Sequence, residues 1–428
     1  MVFLAWGPDL FRFFPAAPAA FRSLRSLPRG PPDRPFSGAA PLHFPPDFLY
    51  LFQELPDGLL RRSLSPKQEG KPMIQLNSLT LREKVGQLFM IRPDALDGTV
   101  EAAQIEDVSL PGSARVSDSM REAFAARPCG GFALFRKNIE SPDQLRRFTE
   151  ELHGLGAFRP LLGIDEEGGR VARIGNHPAD FGVPKIPPME SIGLSGDPEQ
   201  AYAAGKAIGE YLAAFGLDLD FAPVADVNTN PDVRVIGNRA FGSDPEAAAP
   251  MVRRYVEGLH AAGIKACVKH FPGHGDASAD THTGYAESLK TWEEISRCEM
   301  IPFRAGIEAG AELVMAAHIA APRVTGTPEP ASLSSLLLTG KLRGELGFRG
   351  VIITDALAMG AVRQHYSPAE ACIAALKAGA DILLMPYGYA EAFDGVLRAA
   401  EAGAIPPERI DESVRRILQL KKTPGIRG

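Results

Sequence analysis

From residue 73 onward the chain alternates between short apolar runs and amphipathic stretches. Eight apolar runs stand out: GQLFMI (86–91), GFALF (131–135), LLGID (161–165), LDFAPVAD (219–226), KACVKHF (265–271), ELVMAAHI (312–319), GVIITDA (350–356) and DILLMP (381–386). Each has the length of a strand, and most are apolar throughout rather than alternating. That suits strands buried on both faces, as in a parallel sheet. The segments between them carry helical periodicity. One covers 142–155 and is opened by Ser141 and Pro142. Others cover about 197–215, 245–263, 292–310, 367–379 and 407–421. Thr80 followed by Glu83 reads as a capping box that opens a short helix before the first run. Eight strand–helix alternations over some 350 residues predict an α/β fold, a (β/α)8 TIM barrel forming a single domain over 73–428. A doubly wound open sheet is the rival, but no GxGxxG follows the first runs.

Residues 1–72 break this pattern. They hold 13 of the chain's 37 prolines, in runs such as PAAPAAF and RGPPDRPF, and their aromatics have no period. Asp9 and Arg12 interrupt the apolar start, and no Lys or Arg precedes it, which is unlike a secretory signal. The reading is a disordered extension, or a reading frame begun too early with the start at Met73; an organellar transit peptide is the alternative.

Composition narrows the function. A net charge of -6 over 428 residues gives no basic surface for nucleic acid or anionic lipid. No run of eighteen apolar residues is present to span a membrane. Cys129, Cys267, Cys298 and Cys372 form no CxxC and no zinc pattern, so they read as reduced, mostly buried thiols of a cytoplasmic protein.

Polar residues gather at the C-terminal ends of the runs: Asp165, Asp226, His270, His318 and Asp355. In a parallel barrel those ends converge on one rim, where active sites sit. Any one of them can be a helix cap. Five together are harder to dismiss, because a buried carboxylate is costly unless used or paired. The fifth run continues into KHFPGHGDASADTH (269–282), with three of the chain's nine histidines. Asp280 and His282 are two apart, so in extended chain they share a side. The carboxylate can then orient one imidazole nitrogen and leave the other for proton transfer. Against this, a loop histidine is as often bonded to backbone. Asp355, at the end of an apolar run, is placed to be a carboxylate nucleophile, and nucleophile plus acid/base is the logic of retaining glycoside hydrolysis. Asp165, Arg239, Lys269 and His270 are candidate binding groups for hydroxyl and carbonyl oxygens, although Arg239 alone could be a loop ion pair. His318 either lines the pocket or braces a loop. His177 falls in the loop after the third run; His43, His153, His260 and His365 read as surface or extension residues. A metal hydrolase using Asp165, Asp226 and His318 and a non-catalytic sugar binder are the competing classes.

Across residues 76–421, the stretches IDEEGGRVAR, DFAPVADVNTNP, GNRAFGSDP, KHFPGHGDASADTH, PASLS, LRGELGFRGVIITDALAMGA and GADILLMP resemble glycoside hydrolase family 3, in that family's order. The Asp-x-His loop is similar to its β-N-acetylhexosaminidase branch. The resemblance implies Asp355 as the nucleophile of a covalent glycosyl-enzyme, His282 as acid/base and Asp280 as its orienting partner. It implies Asp165, Arg239, Lys269 and His270 as ligands of a terminal N-acetylglucosamine, with no cofactor and no metal. The implied enzyme is a cytoplasmic, monomeric exo-β-N-acetylglucosaminidase acting on N-acetylglucosamine linked to anhydro-N-acetylmuramic acid, with or without peptide, in cell-wall recycling. Phosphorolysis of the same bond and β-glucosidase activity are its alternatives. The family often has a second acid after the nucleophile, where this chain has Ala356. With the chain ending at 428, no second domain is expected. A retaining mechanism expects a gap of roughly 5–5.5 Å between Asp355 and the acid/base group.

Overall fold

The computed structural model describes residues 76–156, 158–279 and 286–422, excluding the side chains of Ser278 and Ala279. The extension 1–72 and both members of the Asp280–His282 pair therefore lie outside the described residues.

The eight apolar runs are the eight strands of one barrel: β1 (Phe89–Ile91), β2 (Gly131–Leu134), β3 (Leu161–Ile164), β4 (Leu219–Asp220), β5 (Lys265–Phe271), β6 (Leu313–Ala316), β7 (Val351–Thr354) and β8 (Leu383–Leu384). All neighbours are parallel; β8 pairs with β1, and a bridge between Ile353 and Ile382 closes the ring at β7. The predicted fourth run is longer than its strand. After Asp220 the chain stays extended through Pro223, which has no N–H for a ladder, and rejoins β5 by a bridge from Val224 to Lys269.

Among the helices that precede, connect and follow the strands are α1 (Leu81–Gln87), α2 (Pro142–His153), α3 (Pro198–Ala214), α4 (Pro245–Ala261), α5 (Trp292–Arg297), α6 (Met300–Glu308), α7 (Pro368–Ala378), α8 (Tyr389–Glu401) and α9 (Pro407–Lys422), and a π-helix, Leu336–Glu345, lies between β6 and β7. Local chemistry sets their starts. Thr80 and Glu83 form the capping box expected, and Ser141, Asp197 and Asp244 each cap a helix whose first residue is proline. The helix expected over 292–310 is two, α5 and α6. Thr291 caps the first, and the chain turns at Cys298 and Glu299 before the second.

Inside the barrel, side chains fill the lumen. Met90 and Phe221 are 1% and 2% exposed, and they meet above Gly163, where a Cβ would stand 2.8 Å from the Phe221 ring. The N-terminal mouth is held by a repeated device. Asp218, Glu312 and Asp381 lead into β4, β6 and β8, and each accepts the backbone N–H of the preceding strand, at Leu162, Ala266 and Ile352 respectively. Each also binds a cation or imidazole from a helix end: His153 to Asp218 and His260 to Glu312, both at 3.0 Å, and Arg343 to Asp381. His153 and His260 are thus partly or fully buried braces, not the surface residues their helix-end positions suggest.

Candidate active site

The C-terminal mouth holds a cavity of about 250 Å³ lined by Asp165, Arg239, Lys269, His270, His274 and Asp355, among others. A larger surface groove, about 650 Å³, runs between residues 97–117 and α2; it contains none of the strand-end residues.

Asp165 follows β3 directly. The chain then forms a short hairpin, Glu166–Gly168 with Val171–Ala172, turning through Gly168 and Gly169 at φ of 89° and 57°. In this extended stretch alternate residues face opposite ways. Glu166 points down into the core, accepting the N–H groups of Arg173, Ile174 and Gly175 and the Tyr211 hydroxyl. Asp165 and Glu167 point the other way, and both bind Lys269 Nζ, at 2.8 and 2.6 Å. Glu167 also takes both arms of Arg239, at 2.7 and 2.8 Å. Glu167 was not among the residues the sequence singled out.

This network fixes the charges. Burial alone would raise the Asp165 and Glu167 carboxyls, but the Lys269 ammonium, aided by Arg173 at Asp165 and Arg239 at Glu167, holds both below the usual carboxylate range. Burial would lower the Lys269 ammonium; the two carboxylates reverse that and hold it above its ordinary value. Lys269 is 1% exposed, a charge tolerated in the interior because it is paired twice.

His270 comes next along β5. Its Nδ1 lies 2.7 Å from Asp226 Oδ2, and its Nε2 lies 3.4 Å from Arg239 Nη2. Asp226 also accepts the backbone N–H groups of His270 and His274. A carboxylate-held imidazole of the kind expected at 280–282 therefore exists at 226–270, in the cavity wall. The loop beyond turns at Gly275, where a Cβ would stand 1.9 Å from the Val227 carbonyl, so only glycine permits that approach. His274 faces the same cavity, its ring edge-on to His270 at 6.0 Å, and burial lowers its basicity.

Asp355 stands at the end of β7. Its N–H donates to the Ala316 carbonyl of β6 at 2.8 Å, and its Oδ1 accepts the N–H of Ala356 at 2.7 Å. All five of the predicted site residues that are described therefore meet on one rim. Among the described residues no three His, Cys, Asp or Glu side chains are grouped as metal ligands; Asp165 is paired with Lys269 and Arg173, Asp226 with His270, and His318 with Ser332 and the Ala356 carbonyl.

A closed parallel barrel with a carboxylate, a doubly paired lysine and an arginine around one C-terminal cavity defines an enzyme of the (β/α)8 class. Within that class the chain belongs to glycosyl hydrolase family 3, whose N-terminal domain matches residues 80–420. It is 38% identical over 281 residues to a β-hexosaminidase of Stenotrophomonas maltophilia, covering 64% of this chain and 81% of that one. A family 3 β-N-acetylglucosaminidase structure from Paenibacillus sp. shares 38% identity with a TM-score of 0.72, covering 80% of this chain; this chain spans 62% of that protein's length. A β-N-acetylhexosaminidase structure from Beutenbergia cavernae shares 30% identity with a TM-score of 0.67, covering 81% of this chain and 99% of that one.

Proposed function

We propose that this glycosyl hydrolase is a retaining exo-β-N-acetylhexosaminidase in which Asp355 is the nucleophile. The observation that carries the reading is the Asp355 carboxylate facing the cavity walled by Asp165, Lys269, Arg239 and His270, in a chain similar to β-hexosaminidases over most of its barrel. Asp355 attacks the anomeric carbon as the bond to the leaving oxygen breaks, and that oxygen takes a proton from the acid/base group. Water, giving a proton back to the same group, then attacks the glycosyl ester and frees Asp355 with net retention. Asp165, Arg239, Lys269 and His270 hold the hydroxyl and carbonyl oxygens of the terminal N-acetylglucosamine. His282, oriented by Asp280, is the acid/base group. The pair Asp226–His270 is a second candidate, favoured by its position in the cavity wall. The proposed substrate is N-acetylglucosamine linked to anhydro-N-acetylmuramic acid, in a monomeric cytoplasmic enzyme. Four unpaired cysteines suit a reducing compartment, and no helix among the described residues is long and apolar enough to cross a membrane.

The test is product analysis by NMR on an N-acetylglucosaminide, with and without phosphate. First-formed β-N-acetylglucosamine in both cases agrees with the proposal; the α-anomer contradicts retention, and a sugar 1-phosphate makes the enzyme a phosphorylase. His282→Ala and His270→Ala, compared on aryl and sugar leaving groups, identify the proton carrier. Its loss slows the poor leaving group most, while loss of a binding group slows both alike.

A further inference from the structure

We propose that His318 is a positioning residue for Asp355: it clamps the peptide beyond the carboxylate and so sets the angle at which that carboxylate faces the cavity. This rests on the reading of Asp355 as the attacking group. His318 lies two residues beyond β6 and is 5% exposed. Its Nε2 is 2.9 Å from the Ala356 carbonyl oxygen, and its Nδ1 is 2.7 Å from Ser332 Oγ. A carbonyl only accepts, so Nε2 carries the proton. Burial pushes the imidazole below its ordinary basicity, which keeps it neutral. Nδ1 is then a lone pair, and the Ser332 hydroxyl must donate to it. The result is a chain with one direction, from Ser332 through His318 to Ala356.

Both ends of that chain are fixed. Ser332 is fully buried, and its N–H donates to the Ala317 carbonyl at 3.0 Å. On the other side, the N–H groups of Asp355, Leu357 and Ala358 are tied to the carbonyls of Ala316, Leu384 and Met385, which belong to or adjoin β6 and β8. The Ala356 N–H is spent on Asp355 Oδ1 itself. The backbone thus anchors this segment through its donors, and His318 anchors it through the Ala356 carbonyl, which also accepts the Met359 N–H at 3.0 Å. Losing that bond leaves the Ala356 carbonyl to the Met359 N–H alone and loosens the residue whose own N–H donates to Asp355 Oδ1, and a carboxylate off its attack line loses rate rather than binding.

The test compares His318→Met, which has no donor, with His318→Gln, whose amide can reach the same carbonyl, in the full chain with a chromogenic N-acetylglucosaminide. His318→Met is expected to lower kcat about 30-fold with KM within about twofold, and His318→Gln to recover to within about fivefold of wild type. A folded His318→Met with wild-type kcat overturns the proposal. So does an equal loss in both variants that tracks their melting temperatures, since that is the behaviour of a structural brace. If His318→Met does not fold, Ser332→Ala decides: it leaves Nδ1 without its donor and is expected to lower kcat about fivefold at constant KM, and an unchanged kcat overturns the proposal. Asp355→Ala in the same assay separates the two readings. Full activity there removes the nucleophile assignment itself; an inactive Asp355→Ala beside active His318 variants removes only the positioning role.

Discussion

Three consecutive acids, Asp165, Glu166 and Glu167, divide the work at the edge of β3. The sequence draws attention to the first, because it ends an apolar run. It hides the third, because a run of acids beside glycines reads as a solvated turn. The signal that would have found Glu167 is period two: in extended chain it shares a face with Asp165, two residues back. Its partners, Lys269 and Arg239, are about a hundred and about seventy residues away, so their convergence belongs to the barrel, not to any local pattern. Glu167→Gln keeps the shape but removes the charge facing two buried cations. It is expected to lower kcat/KM by about 10–100-fold and stability by about 3 kcal/mol, measured by steady-state kinetics and urea unfolding. Unchanged values for both would mean that Lys269 and Arg239 need no fixed counter-charge.

At the level of strands and helices, the eight apolar runs were legible because burial on both faces removes polar residues from them. What periodicity cannot supply is pairing at the barrel's N-terminal mouth. His153 and His260 end amphipathic helices, a position that usually faces water, yet they brace Asp218 and Glu312. The break between α5 and α6 was equally hidden, since apolar spacing continues across it. The mouth has a measurable consequence. Burial alone would raise Asp218, but the His153 hydrogen bond, the Arg159 charge and the Leu162 N–H take it from an ordinary 3.8 down to about 2. A carboxyl depressed in the fold contributes stability that is full above the unfolded value and is lost as pH falls toward the folded one. Stability is therefore expected to drop by on the order of 2 kcal/mol between about pH 5 and 2 through this group alone. Asp218→Asn should be less stable at neutral pH and should flatten that part of the curve in chemical denaturation. A curve of unchanged steepness would show that Asp218 is not one of the groups responsible.

For the molecule as a whole, the barrel separates tasks by end: braces at the N-terminal mouth, the candidate active site at the C-terminal one. The sequence pointed to the candidate site through polar residues recurring at strand ends, and the family resemblance supplied the roles proposed for them. It could not reveal how Lys269 is shared or how His318 and Ser332 support the segment after Asp355, because those links join distant strands and loops. Since β1 to β8 close on each other within the described residues, a chain beginning at Met73 is expected to keep its turnover and to melt within about 2 °C of the full chain. Loss of folded protein on that truncation would make residues 1–72 part of the fold.

The central claim is a covalent bond at Asp355, and trapping it is the direct test. Incubation with a fluorinated N-acetylglucosaminyl fluoride, which slows release of the glycosyl-enzyme, followed by proteolysis and mass spectrometry, is expected to place one sugar on the peptide containing Asp355 and on no peptide of Asp355→Ala. A sugar carried by another residue, or full inactivation of the wild type with Asp355 unlabelled, would contradict the account.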